Sequence, residues 1–225
     1  MTASPDTIAV LCSGGITSLG LLEDLAKKFK QIVPVYVVCG FIWEPAERFW
    51  LRRFHRHMKK RHNSVGDIID ISLPIKTIYR RGYWATDGGE VPGLYASESA
   101  IELPGRNTLL LSTAAVFCQT HGVQDLAIGT VSSSKAADAK PNFMKAFEEL
   151  GRIGLHTKVK ILTPLANMKK SSIIKKFDDL PWEATFSCIN PQGHDHCGNC
   201  FKCGERKRIF EESGAKDPTT YGGIR

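Results

Sequence analysis

The chain has 225 residues, with 42% hydrophobic and 24% charged residues, enough for one sizeable α/β domain or one domain with a small appendage. No apolar run approaches the roughly 20 residues of a membrane-spanning helix, and the start "MTASPDTIAVLC" lacks the pattern of a secretory signal, so a cytoplasmic location is expected. Thirty Lys and Arg against 23 Asp and Glu give a net charge of +7, which suits anionic partners without choosing among them.

In chain order, "DTIAVLC" reads as a strand that stops at "SGG", and "TSLGLLEDLAKKF" follows with helical spacing. "QIVPVYVVCGF" is a second strand, continuously apolar as a parallel strand covered on both faces would be. A basic amphipathic helix, "EPAERFWLRRFHRHMKKRH", and a third strand, "VGDIIDISL", come next. Residues Pro74 to Pro104 lose this rhythm and read as an irregular excursion, a length of loop that is usually functional or disordered. The helix "NTLLLSTAAVFCQTHG", the strand "DLAIGTV", a helix around "NFMKAFEELG", the strand "KVKILTPL" and the helix "KKSSIIKKFDDL" restore it. A cysteine cluster and a closing helix, "CGERKRIFEESG", end the chain. The expected fold is an α/β, doubly wound parallel sheet over residues 1–185, with a zinc-binding C-terminal appendage over 186–225.

Two motifs carry chemistry. In "SGGITS", Gly14 and Gly15 let the backbone turn tightly between strand and helix, while Ser13, Thr17, Ser18 and the helix dipole add to an anion site. An ordinary βα turn would also tolerate Gly-Gly, but hydroxyls on both sides at the first βα junction favour phosphate. Near the other end, Cys188, Cys197, Cys200 and Cys203 form C-x8-C-x2-C-x2-C, the ligand set of a closed, structural Zn²⁺ site. An iron–sulfur cluster is the rival, and His194 and His196 are spare ligands beside a set the four cysteines already complete. The other three cysteines, Cys12, Cys39 and Cys118, lie in apolar stretches and read as small buried side chains.

"SGGITS" resembles the SGGxDS pyrophosphate loop of the PP-loop ATPases (the adenine nucleotide alpha hydrolase-like fold), with Thr17 where that pattern has aspartate. "PGRN" (Pro104 to Asn107) and "SC…CGNCFKCGERKRIFEESG" resemble the 7-cyano-7-deazaguanine synthase (QueC) family, from about Ile8 to Asp217. The resemblance implies an ATP-dependent C–N ligase. ATP, with its Mg²⁺, activates the carboxylate of 7-carboxy-7-deazaguanine, ammonia gives the amide, and a second activation gives the nitrile. Ser13, Gly14, Gly15 and Ser18, with Thr17, would then hold the pyrophosphate. Arg106 and Asn107 would face the nucleotide or the substrate carboxylate, and Lys170 would contact phosphate, although a solvated lysine fits that position equally well. Tyr83, Trp84 and Tyr95 are candidates for the slot that receives the base. Where the family has a "D…YPDCRPEF"-like stretch near the substrate, this chain reads "SSSKAADAKPNFMKAF", leaving Asp138 and Lys140 as remnants.

With Thr17, that departure points to a diverged paralogue. One alternative is an antiviral-defence relative that joins the deazaguanine to a protein amine. A second is a non-catalytic nucleotide or nucleic-acid binding protein, favoured by "RRFHRHMKKRH" and opposed by the lack of aromatics interleaved with those charges. A tRNA sulfur-transfer enzyme would need a catalytic cysteine pair that Cys12, Cys39 and Cys118 do not evidently form. Nucleic acid and membrane are therefore not expected partners, and a homodimer is left open.

Overall fold

A computed structural model describes residues 6–156 and 158–222. Five parallel strands form one sheet in the order β3-β2-β1-β4-β5. They are β1 (Thr7–Leu11), β2 (Gln31–Val38), β3 (Ile69–Ser72), β4 (Asp125–Ala127) and β5 (Lys160–Leu162). The helices are α1 (Ile16–Ala26), α2 (Glu44–Arg61), the single turn α3 (Trp84–Asp87), α4 (Arg106–His121), α5 (Pro141–Gly154), α6 (Lys170–Lys176) and α7 (Phe201–Ser213). The chain moves outward from β1 to β3, then crosses back to place β4 on the other side of β1. The strand order therefore reverses between β1 and β4, the place where open α/β sheets bind ligands beyond their carboxyl ends.

Alternation along β1 divides the core in two. Ile8 and Val10 face one layer, with Leu19 and Leu22 of α1, Phe54 and Met58 of α2, Ile173 of α6 and Phe210 of α7. Ala9 and Leu11 face the other, with Leu111 and Ala114 of α4 and Met144 and Phe147 of α5. All five residues of β1 are buried, as its unbroken apolar run requires. Cys12, Cys39 and Cys118 are buried in this core.

The doubly wound sheet expected from the sequence is present, but its outer members are short. β4 and β5 have three residues each, and α6 ends at Lys176 rather than continuing through "FDDL". The excursion between β3 and α4 is anchored to the start of α7. Phe201 N–H donates to Pro92 O at 3.0 Å, and Gly93 pairs with Cys200. Behind α7, Arg206 is 1% exposed and donates to Trp182 O at 3.0 Å and Thr185 Oγ1 at 2.9 Å, tying the last helix to the segment that enters the cysteine cluster. Among the described residues no helix is long and apolar enough to cross a membrane.

α1 and α6 approach closely because residue 20 lacks a side chain: a Cβ there would lie 2.4 Å from Ile173 Cγ2. Gly20→Val should force the helices apart at a cost of about 1–3 kcal/mol. Thermal unfolding should then show a melting temperature several degrees lower, at roughly 2–4 °C per kcal/mol for a chain of this size.

Candidate functional site

β1 ends at Leu11 and α1 begins at Ile16, so Ser13, Gly14 and Gly15 turn the chain at the switch point. Two hydroxyls fix the turn: Ser13 N–H donates to Ser18 Oγ at 2.7 Å, and Gly15 N–H to Ser13 Oγ at 3.3 Å. Gly15 is the N-cap residue of α1, and no side chain caps that helix. A strand-to-helix turn with an uncapped first turn presents backbone N–H groups and the positive end of the helix dipole to an anion. Thr17 is half-buried in the same turn, and its methyl lies 3.0 Å from where a Cβ on Gly129 would be, in the segment leaving β4. The next residue, Thr130, is 5% exposed, and its Oγ1 is buried with no hydrogen-bond partner.

Two glutamates of α2 stand behind the turn. Glu44 accepts hydrogen bonds from Cys39 N–H and Gly40 N–H, both at 2.8 Å, and its pKa is raised by burial against those bonds. Glu47 accepts from Tyr36 Oη at 2.7 Å, and a Cβ on Gly14 would lie 3.3 Å from Glu47 Cγ and 2.9 Å from its backbone oxygen. Burial pushes the Glu47 carboxyl up to about 7, with Glu44 adding to the rise and the Tyr36 hydrogen bond and Arg106 opposing it. The residue is half-buried, and protein surrounds its carboxyl. A carboxyl that titrates near neutrality in such a place has the properties of a proton carrier.

Arg106 opens α4 and remains exposed, with its charge felt by Glu47, Cys39 and Tyr79 on one side and Lys202 on the other. Lys170 and Lys202 share Glu205, at 3.0 Å to Oε1 and 2.8 Å to Oε2. Burial opposes ionisation of Glu205, but the two ammoniums outweigh it and bring its pKa to about 2. Lys202 is shifted down by burial, Lys170 and Arg106, against the pull of Glu205.

The remaining candidates fall into two groups. Tyr83 and Trp84 belong to a row of rings. Tyr83 stacks on Tyr79 at 4.9 Å, Trp84 lies 5.6 Å from Trp43, and Trp43 stacks on Phe41 at 4.6 Å. Tyr95 stands outside this row at 99% exposure. Asp138 caps α4 from a distant segment: Oδ2 accepts from Asn107 N–H at 2.9 Å and Thr108 N–H at 3.3 Å, and Oδ1 from Asn107 Nδ2 at 3.1 Å. Asn107 is thus buried, with its amide nitrogen donating to Asp138 and its Oδ1 accepting from Arg106 at 3.5 Å, at the helix start from which Arg106 projects. Lys140 is exposed and donates to Ser134 O at 2.6 Å, closing its own loop.

Cys188, Cys197, Cys200 and Cys203 are all buried, with their sulfurs within 4.8 Å of one another. Sγ separations are 3.5 Å for Cys188–Cys197, 3.8 Å for Cys188–Cys200 and 3.9 Å for Cys197–Cys203. Four thiolates about 2.3 Å from one tetrahedral ion would stand about 3.8 Å apart, so the set fits a single ion. The thiolates of a cluster of several irons bind different metal atoms and would be spread more widely. The neighbouring histidines are committed elsewhere. His196 Nε2 accepts from Ser187 N–H at 3.1 Å, its pKa pushed down to about 3 chiefly by burial, and His194 stacks on Phe49 at 4.1 Å. The segment entering this knuckle rests on the Ser13–Ser18 turn, where Phe186 N–H donates to Gly14 O at 2.6 Å.

Sequence reasoning passed over Glu47, Lys202, Glu205, Tyr79 and Trp43. Glu47 sat in a helix read for its basic face, and Lys202 and Glu205 sat between and beyond cysteines read as ligands. One signal was available: Glu44 and Glu47, three apart, share a helix face just past the end of β2.

The reversed strand order and the uncapped turn define a nucleotide-binding α/β protein of the PP-loop class. The sequence model described as "Queuosine biosynthesis protein QueC" matches residues 7–214. The 7-cyano-7-deazaguanine synthase of Chlorobium phaeovibrioides is 30% identical over 224 residues, spanning 94% of this chain and 95% of that one. That of Methanopyrus kandleri is 29% identical over 233 residues, with 96% and 98% covered. The structure of the U34-tRNA thiolase NcsA from Methanococcus maripaludis, described with its 4Fe-4S cluster, shares the fold at TM-score 0.50 and 14% identity, over 92% of this chain and 67% of that one. The chain belongs to the QueC family of enzymes.

The knuckle geometry predicts about one metal ion per chain by elemental analysis. Cys200→Ser should lose it and lower the melting temperature by on the order of 10 °C, because ligand binding and folding are linked at such sites. A stable, metal-free protein would overturn the assignment.

Proposed function

We propose that the chain uses ATP to activate the carboxylate of 7-carboxy-7-deazaguanine for attack by an amine, as the names of its relatives suggest, with ammonia giving the amide and a second activation the nitrile. The observation that carries this reading is the uncapped Ser13–Ser18 turn at the switch point, built to receive an anion. In the first step a substrate carboxylate oxygen attacks the α-phosphorus, the bond to the bridging oxygen breaks, and pyrophosphate leaves. In the second, the amine attacks the acyl carbon, AMP leaves, and the surplus amine proton must go to a base. Glu47 is the group suited to take it, being walled in beside Gly14 and within the field of Arg106. Arg106 would pair with the substrate carboxylate before activation and with phosphate after it. Lys170 would contact phosphate. The row Tyr79, Tyr83, Trp84 and Trp43 supplies flat apolar faces for the deazaguanine ring near Arg106. Mg²⁺ would arrive on the nucleotide, and Zn²⁺, which takes four thiolates in a tetrahedron, is the ion we assign to the knuckle, where it would serve structure alone.

Product analysis by mass spectrometry after incubation with ATP, ammonia and 7-carboxy-7-deazaguanine tests the reaction. Nitrile supports it, while a protein adduct would favour conjugation to a protein amine. Consumption of neither substrate would sink an enzymatic reading.

ATP should raise the melting temperature of the parent by mass action. Gly14→Ala, whose Cβ would meet the Glu47 backbone oxygen at 2.9 Å, should lose most of that shift by forcing the turn and α2 apart.

With free ammonia held constant, turnover should rise with pH through about 7 as Glu47 loses its proton. Glu47→Gln should remove that limb and lower the rate on the order of a hundredfold or more. Because the folded-state pKa is raised, the native state increasingly resists ionising this carboxyl as pH climbs from its ordinary value to about 7. The glutamine variant should therefore be at least as stable as the parent at pH 8, which separates lost chemistry from lost fold. An unchanged pH profile in Glu47→Gln would exclude the base assignment.

A further inference from the structure

Two lysines share one carboxylate where α6 meets α7, and a third cationic side chain stands near enough to act on them. The side chains of Lys170 and Lys202 are 23% and 28% exposed, and each holds one oxygen of Glu205, at 3.0 and 2.8 Å. Arg106 lies near enough for its charge to act on Lys202. Counting Arg106, Lys170 and Lys202 against Glu205 leaves two positive charges in excess. Taking an ion most of the way out of water is costly unless its charge is matched. A clip that only joined α6 to α7 would need one lysine, and would gain nothing from a second lysine or from a neighbouring guanidinium. Each ammonium spends one of its three donors on Glu205. The group has the composition of an anion site.

Its position agrees. Lys170 begins α6 just beyond β5, in a loop tied to the segment after β4 by Ser132 N–H donating to Met168 O at 3.0 Å. Arg106 begins α4, which also starts at the carboxyl edge of the sheet. Lys202 comes from outside the sheet, between two cysteines of the knuckle, with the start of its helix held by the bond from Phe201 N–H to Pro92 O. In that segment after β4, the buried hydroxyl of Thr130 has no partner, a second sign that a polar ligand belongs at this edge of the sheet.

We propose that Lys202, delivered by the helix of the cysteine knuckle, binds the pyrophosphate portion of the nucleotide together with Lys170 and Arg106, with Glu205 setting the spacing of the two ammoniums. This rests on the ATP reading above and extends it: the knuckle becomes a contributor to the anion site as well as a support. The diphosphate supplies the missing negative charge, and charge-assisted bonds from two ammoniums and a guanidinium hold it.

The test is calorimetric titration of the full-length, metal-loaded protein with inorganic pyrophosphate and with ATP, for the parent and for Lys202→Met, Lys202→Arg and Lys175→Met. Lys175, exposed in the last turn of α6, serves as a control for loss of one positive charge elsewhere. Lys202→Met should weaken pyrophosphate binding at least tenfold while keeping its metal. Lys202→Arg should recover part of the loss, and Lys175→Met should bind like the parent. If Lys202→Met lowers the melting temperature but binds pyrophosphate as tightly as the parent, the lysine is structural and the proposal is overturned. An equal loss in Lys175→Met would reduce the effect to overall charge and overturn it as well. A parent protein that binds neither ATP nor pyrophosphate would instead remove the nucleotide reading beneath it.

Discussion

Gly14 is enclosed from two directions, and the site depends on that enclosure. On one side lie the Glu47 backbone oxygen and Cγ, 2.9 and 3.3 Å from where a Cβ would be, and on the other the Cβ of Phe186 at 3.3 Å. The hydrogen bond from Phe186 N–H to Gly14 O closes the contact. Three parts of the chain more than thirty residues apart therefore meet at a position that admits no side chain: the end of β1, the first turns of α2 and the approach to the cysteine knuckle. A turn that binds an anion needs its N–H groups to face outward, and the packing behind Gly14 holds this turn in place from within. A metal bound by the four cysteines would act on the turn through the same contact, since Phe186 lies two residues before Cys188.

Around that turn the charges are sorted. Glu44 and Glu47 stand on the α2 side, and Lys170 and Lys202 on the side of α6 and α7, with Arg106 reaching toward both. The sorting follows from topology. Helices that follow parallel strands begin at the carboxyl edge of the sheet, so residues early in α2, α4 and α6 are gathered there although they are scattered along the sequence. A carboxyl enclosed near Gly14 is raised toward neutrality because burial outweighs the help it receives from Tyr36 and Arg106. A carboxyl between two ammoniums is lowered because their charges outweigh its burial. One carboxyl of the fold thus titrates near neutral pH and another stays ionised, each for its own electrostatic reason.

The parts of this arrangement that the sequence showed are those with local causes. β1 was legible because buried parallel strands run apolar without a break, the turn because Gly-Gly ends that run, and the knuckle because cysteines two apart serve one ion. The same local logic could not tell that Asp138 spends both its oxygens capping α4, since the contact spans thirty-one residues and resembles nothing in the sequence. Nor could it separate Lys202 from the other basic residues of the closing helix. Glu47 was hidden for a related reason: a glutamate in a charged helix reads as solvated until tertiary packing surrounds it. Tyr83 and Trp84 stand in the aromatic row while Tyr95 lies open to solvent, and only the path of the excursion across the knuckle decides which rings are gathered.

Thr17 connects these observations. Its methyl lies against the backbone of Gly129 on the far side of the switch point, so a branched, neutral side chain fits the crevice between β1 and β4. In the nucleotide reading proposed above, an aspartate at this position would bring a negative charge beside the polyphosphate, and a cation would be needed to reconcile the two. With threonine the turn itself adds no charge, and in that reading neutralising the phosphates would fall to cations supplied by the rest of the fold. The lysine pair on Glu205 and the guanidinium of Arg106 carry an excess of the required sign. If the proposed nucleotide reading holds, the neutral Thr17 in the loop and the cationic Lys202 in the knuckle are two sides of one electrostatic balance.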